Sequence, residues 1–122
     1  MLHYSTIAPK TLELLKQLQN IAEFSDLRLV GGTALALQMG HRISVDLDLF
    51  GKTTIDEIET LRLLSGLGNV VSLKKSANIN IYSINNIKVD IVNYPYDWIA
   101  KPIAKDSLLL ADKKDIAMLM NN

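Results

Sequence analysis

The chain has no cysteine among its 122 residues, which excludes disulfides, thiolate metal sites and a thiol nucleophile. It has no excess charge of either sign: 13 Lys and Arg balance 13 Asp and Glu. No global electrostatic footprint therefore announces a nucleic-acid binder, and any polyanion must be held locally. Aromatic residues make up 6% of the chain, so Tyr94, Tyr96 and Trp98 read first as packing rings, with base stacking the weaker reading. His3 and His41 are too few and too far apart in sequence to suggest an imidazole metal site. No apolar run is long enough to cross a bilayer and no leader pattern opens the chain, so no membrane partner and a cytoplasmic location are expected. What is present is 48% hydrophobic content, enough for one globular domain with a real core.

Helical and strand periods alternate along the chain. Leu12, Leu14, Leu15, Leu18, Ile21 and Ala22 fall at helical spacing and predict an amphipathic helix from Pro9 to Phe24, with Pro9 near its start. A short buried strand is expected over Leu27 to Val30, then a helix over Thr33 to Met39. The Thr54-Ile-Asp-Glu57 pattern reads as a capping box that opens a helix running to about Leu64, ended by Gly66 and Gly68. Strands are predicted over Val70 to Lys74, Asn78 to Ile84 and Ile87 to Val92. Asn85-Asn86 is the two-residue turn that pairs the last two. Pro102 falls in a loop leading to a final helix from about Asp112 to Met120. The fold class is α+β, with no repeat or interdomain linker.

The run from Val30 to Phe50 carries the chemistry. Gly31-Gly32-Thr33 is a strand-to-helix turn, where glycine permits close backbone approach and a helix N-terminus offers unpaired amides to an anion. The Thr33 hydroxyl is expected to cap that helix or touch a phosphate oxygen. Taken alone, the glycine pair would be a tight turn and nothing more. Downstream, Asp46-Leu47-Asp48 interrupts an apolar strand. Period two puts Ser44, Asp46 and Asp48 on one face and Val45, Leu47 and Leu49 on the other. Two carboxylates on one water-poor face repel and raise one another's pKa, a conflict that a hard cation such as Mg²⁺ removes. Lys88-Val89-Asp90-Ile91-Val92 embeds a further acid. If its strand lies beside Ser44 to Phe50, three carboxylates converge in a way that suits a two-metal site for phosphoryl transfer. An isolated Asp90 would read as an edge-strand acid facing water. Lys74, Lys75 and Lys88 read as solvated strand residues first and a basic strip for an acceptor second.

These residues resemble the DNA polymerase beta-like nucleotidyltransferase superfamily, whose pattern is a glycine turn at a helix start, an Asp-x-Asp about a dozen residues on and a third acid on a later strand. The match is closer to the AbiEii/AbiGii toxin-type nucleotidyltransferases, on Leu29-Val-Gly-Gly-Thr-Ala-Leu-Ala-Leu37, Arg42-Ile-Ser44 and Asp46-Leu-Asp-Leu-Phe50. The resemblance implies a mixed central β-sheet flanked by α-helices. It implies that Asp46, Asp48 and Asp90 hold Mg²⁺ or Mn²⁺, and that Asp90 also helps activate the attacking hydroxyl. Gly31, Gly32 and Thr33 would hold the triphosphate of an NTP, with Arg42 or Ser44 adding contacts. The implied reaction moves an NMP to a hydroxyl of RNA, tRNA among the candidates, or of a protein, in a toxin paired with an antitoxin. A homo-oligomer is neither required nor excluded. The family pattern continues through Asp-Ile-Ala-x-Met-Lys, whereas Asp115-Ile116-Ala117-Met118 is followed here by Leu119-Met120-Asn121-Asn122. The expectation is therefore a single catalytic domain over residues 1–122 without the family's C-terminal helical part. A nucleotide-binding pseudoenzyme that keeps the fold is the alternative.

Overall fold

The computed structural model describes residues 2–40, 46–53 and 56–120. A short 3₁₀ turn at Tyr4–Thr6 precedes α1 (Pro9–Gln19), and a second, Ala22–Phe24, precedes β1 (Arg28–Val30). Then follow α2 (Gly31–Met39), β2 (Leu47–Gly51), α3 (Glu57–Ser65), β3 (Val70–Lys75), β4 (Ile79–Ile84) and β5 (Ile87–Asn93). The chain closes with β6 (Ile103–Lys105), β7 (Leu108–Leu110) and α4 (Lys113–Met120). Among the described residues seven strands form one mixed sheet in the order β3-β4-β5-β2-β1-β7-β6. β2 runs parallel to β5, and β1 parallel to β7; the remaining neighbours are antiparallel. The α+β class expected from the sequence is the class found.

Alternation splits the sheet into a closed and an open face. Leu29, Leu47, Leu49, Tyr82, Ile84, Val89, Ile91 and Leu110 are buried on one side. They share a core with Leu14, Leu15 and Leu18 of α1, Leu37 of α2, Leu64 of α3 and Ile116 of α4. The intervening residues Asp48, Phe50, Ile81, Lys88 and Asp90 belong to the other face. Buried Gln19 ties α1 to the sheet, its amide nitrogen donating to the carbonyls of Leu27 (3.2 Å) and Leu109 (2.7 Å) and its oxygen accepting from Leu109 N–H at 3.1 Å.

Several element boundaries differ from those read in the sequence. The first helix stops at Gln19, where the Asn20 N–H turns back to Leu18 and Lys16, and Ile21 is extended. α3 starts at Glu57 under Asp56, whose carboxylate accepts the Glu59 N–H at 2.8 Å. The capping pattern is thus Asp56-x-x-Glu59, two residues beyond the expected one, and Thr54 lies outside the described residues. The predicted Asn85-Asn86 turn is present, with both residues at positive φ (51° and 68°). The segment read as a loop before the last helix instead forms the β6–β7 hairpin. It turns through Asp106 and Ser107, also at positive φ. That turn has the backbone of an Asn-Gly turn without its residues, which is why the pattern was silent.

Candidate active site

Register brings the acids together. β2 and β5 are parallel partners with Asp48 directly beside Asp90, and cross-strand partners share a face. The row continues through Val30 of β1 on one side and through Ile81 of β4 and Lys74 of β3 on the other. Leu47 and Leu49 are fully buried on the opposite face, as the period-two reading requires.

Burial first, then the charge of Asp90 and a hydrogen bond shared with it, push the Asp48 carboxyl up to about 6; Asp46 adds a smaller push, and the Lys88 ammonium pulls the other way. A hydrogen bond between two carboxyl groups requires one of them to hold a proton, and it is Asp48 whose ionisation is held back. The Oδ1 of Asp90 is buried without a hydrogen-bond partner. Lys88 Nζ lies 3.6 Å from it, an ion pair beyond hydrogen-bond reach. A carboxylate oxygen so placed, next to a second carboxyl that resists ionisation, fits the donor set of a hard divalent ion.

The glycine turn faces these acids. Gly31 begins α2 at φ +74°, and a Cβ on it would overlap the Asp48 carboxylate. Only glycine satisfies both the left-handed backbone and the close approach. Val30 precedes the helix in extended conformation and no side chain caps the first turn. Gly32 is the second residue of that turn. Thr33 is 1% exposed and its hydroxyl donates to the backbone carbonyl of Asp46, so it pins the entry of β2 to the helix start. Of the two roles the sequence offered this hydroxyl, the helix cap is not the one seen, since Val30 is the N-cap residue.

Asp46 sits just ahead of β2, its charge felt by Asp48. Among the described residues no three carboxylate or imidazole groups converge closely enough to hold an ion, so the structure assembles Asp48, Asp90 and the glycine turn but not a three-acid cluster. Arg42 and Ser44 lie outside the described residues. Of the three strand lysines, Lys75 is paired with Glu57 of α3, while Lys74 and Lys88 belong to the open face. Sequence reasoning passed over Lys88 as a partner of the acids, although its i, i+2 spacing from Asp90 was the signal.

The aromatic residues pack on one another. The Tyr94 ring lies 5.8 Å from Phe50, 5.2 Å from Tyr96 and 5.0 Å from Trp98, centroid to centroid. The Arg28 guanidinium covers Trp98 at 4.5 Å and donates to the Ala100 carbonyl at 2.9 Å. Asp115 was singled out only by its place in a motif. Its buried carboxylate accepts the N–H groups of Ile99 (2.7 Å) and Ala100 (3.1 Å), fixing the segment after β5 to α4. A cleft of about 510 Å³ opens at the Gly51 end of β2, lined in part by Arg28, Lys52, Tyr96 and Trp98; neither Asp48 nor Asp90 lines it.

Among the described residues no helix is long and apolar enough to cross a membrane. The chain is 31% identical over 111 residues to the uncharacterized protein aq_aa25 of Aquifex aeolicus, covering 88% of this chain and 54% of that protein. It thus spans about half the length of the curated relative it matches. Its fold is similar to JHP933 from Helicobacter pylori (TM-score 0.61, 18% identity, 93% of this chain and 56% of that one). It is also similar to the candidate nucleotidyltransferase TM1012 from Thermotoga maritima (TM-score 0.62, 17% identity, 98% and 89%). Residues 13–103 match the family described as nucleotidyl transferase AbiEii toxin, type IV toxin–antitoxin system, and the chain belongs to that family.

Proposed function

We propose that this chain is the catalytic domain of a metal-dependent nucleotidyltransferase that moves an NMP from an NTP to a hydroxyl acceptor, RNA or protein, as the toxin of an antitoxin-paired system. The observation that carries the reading is the parallel register of Asp48 and Asp90 opposite the Gly31 turn. In this reading Asp46, Asp48 and Asp90 are the metal ligands, and the first-turn amides of Gly31, Gly32 and Thr33 receive the triphosphate. Arg42 and Ser44 add contacts to it. A bound divalent ion supplies neutralisation of phosphate charge and polarisation of the phosphoryl oxygens.

The chain's own residues do the rest. Asp48, whose carboxyl resists ionisation in the empty site, would give up its proton to solvent as the site fills. The acceptor hydroxyl oxygen attacks the α-phosphorus, the bond to the β-phosphate oxygen breaks and pyrophosphate leaves. Asp90 helps activate the hydroxyl, as a general base or through the ion it would hold. Thr33 holds the Asp46 carbonyl and with it the geometry between helix start and strand.

One observation favours the alternative of a nucleotide-binding module without turnover: the three acids do not converge as a cluster among the described residues. Incubation with each labelled NTP, Mg²⁺ or Mn²⁺ and total RNA separates the two. Label on RNA or on protein that is lost in Asp48→Asn supports transfer and names the acceptor class. NTP binding without label transfer at any metal concentration supports the module.

A further inference from the structure

Lys88 occupies a position that the metal reading does not use. It lies two residues before Asp90 on β5, on the same face, and its ammonium is 3.6 Å from the one buried Asp90 oxygen that no hydrogen bond satisfies. Its side chain is 46% exposed, so it has room to leave without disturbing the core. An ammonium and a divalent ion cannot both neutralise that oxygen: each is a compact cation, and in the same few ångströms they repel. The contact is too long for a hydrogen bond, which makes it the kind of partner that a harder cation with direct oxygen coordination displaces.

We propose that Lys88 is the built-in counter-cation of the acid pair, and that Lys88 and a divalent metal ion are mutually exclusive partners of Asp90 Oδ1. Lys88 is then a positioning residue that holds Asp90 towards the open face when the site is empty and sets the concentration at which the ion enters. The inference rests on the proposed metal site of Asp48 and Asp90. It does not depend on which nucleotide or acceptor is used.

The sheet supplies an internal control. Lys74 lies on the same face in the same row as Asp90, but across Ile81 of β4, so about 10 Å separates their backbones at ~4.8 Å per strand. A nonspecific effect of net charge would be felt from both lysines; direct exclusion would be felt from Lys88 alone.

The test is titration of the purified chain with Mn²⁺ alone, reading free Mn²⁺ by electron paramagnetic resonance, for the wild type, Lys88→Met, Lys88→Arg and Lys74→Met. Circular dichroism melts confirm that each variant is folded. Lys88→Met is expected to bind Mn²⁺ about three- to fivefold more tightly than wild type, the upper end of the range for removing a half-exposed ion pair. Lys88→Arg should stay near wild type, and Lys74→Met within twofold of it. Unchanged or weaker binding in Lys88→Met overturns the proposal, as does equal tightening in both Met variants. Binding that appears only in Lys88→Met supports it, and no binding in any variant overturns it. Nucleotidyl transfer measured separately distinguishes the failures: a null result for Lys88 with transfer intact sinks this inference and leaves the proposed function standing.

Discussion

Replacing Asp48 with asparagine should make the metal-free protein more stable, and the gain should depend on pH. The folded carboxyl titrates near 6 against an ordinary value of 3.8, so between these two values the native state keeps a proton that the unfolded chain has released. The unfolded state then binds fewer protons, and stability falls as pH rises through that window. At 1.36 kcal/mol per pH unit the displacement corresponds to about 3 kcal/mol, and screening of the partly exposed carboxyl reduces it to about 2 kcal/mol. Asparagine never ionises and escapes this cost. At pH 7, in EDTA, Asp48→Asn should therefore exceed wild type by about 2 kcal/mol, or about 6–10 °C in Tm for a chain of this size, and the gap should close as pH falls to about 4. Urea melts at half-unit pH intervals measure it. A variant no more stable than wild type at pH 7, or a gap independent of pH, would refute the assignment of a strained, proton-sharing pair. Added Mn²⁺ should raise the wild-type Tm at pH 7 and leave the variant's unchanged, because the ion relieves the repulsion that asparagine has already removed.

Gly31→Ala places a Cβ on the Asp48 carboxylate in a left-handed backbone. It should cost about 1–2 kcal/mol and abolish label transfer even where the fold survives, as checked by melting and by the labelled-NTP assay. Gln19→Ala strips both polar contacts of Leu109 and one of Leu27 and should cost about 2–3 kcal/mol in urea unfolding. Asp115→Ala leaves the Ile99 and Ala100 amides unpaired. It should cost about 2–3 kcal/mol and accelerate hydrogen exchange at those two amides first; unchanged exchange there would show that the segment is held by something else.

Much of the candidate site was legible because two periods coincide with two faces. Leu47 and Leu49 alternate with Asp48, and Val89 and Ile91 with Asp90, so each strand states on its own which side must be buried. What neither strand states is its neighbour. The pairing of β2 with β5 follows from burying both apolar faces at once, which is a tertiary fact. The Thr33 bond to the Asp46 carbonyl was not legible, because a threonine near a helix start has several acceptors within reach and this one lies thirteen residues away in sequence. The β6–β7 hairpin was missed because its turn uses Asp106 and Ser107 at positive φ, which costs them more than it would asparagine or glycine. Leu108 and Leu110 repay that cost inside the core.

In the proposed reading, the register of β5 is what sets Asp90 beside Asp48. A slip of one residue against β2 would set Val89 or Ile91 beside Asp48 and turn Asp90 into the core. Two features fix β5 to its other neighbours, and a third ties it to β2. The two-residue Asn85-Asn86 turn sets β5 against β4, with Ile84 opposite Ile87. The Asn85 side-chain oxygen accepts the Asn69 N–H at 2.9 Å, which secures the same turn to the start of β3. At the far end the Tyr94 N–H donates to the Gly51 carbonyl at 2.9 Å, closing the β2–β5 ladder. Both ends of the strand are thus fixed by backbone geometry remote from the acids. The repulsion between Asp48 and Asp90 is held in place by packing and turns that gain nothing from it. In the proposed reading, that enforced proximity is what a divalent cation would use.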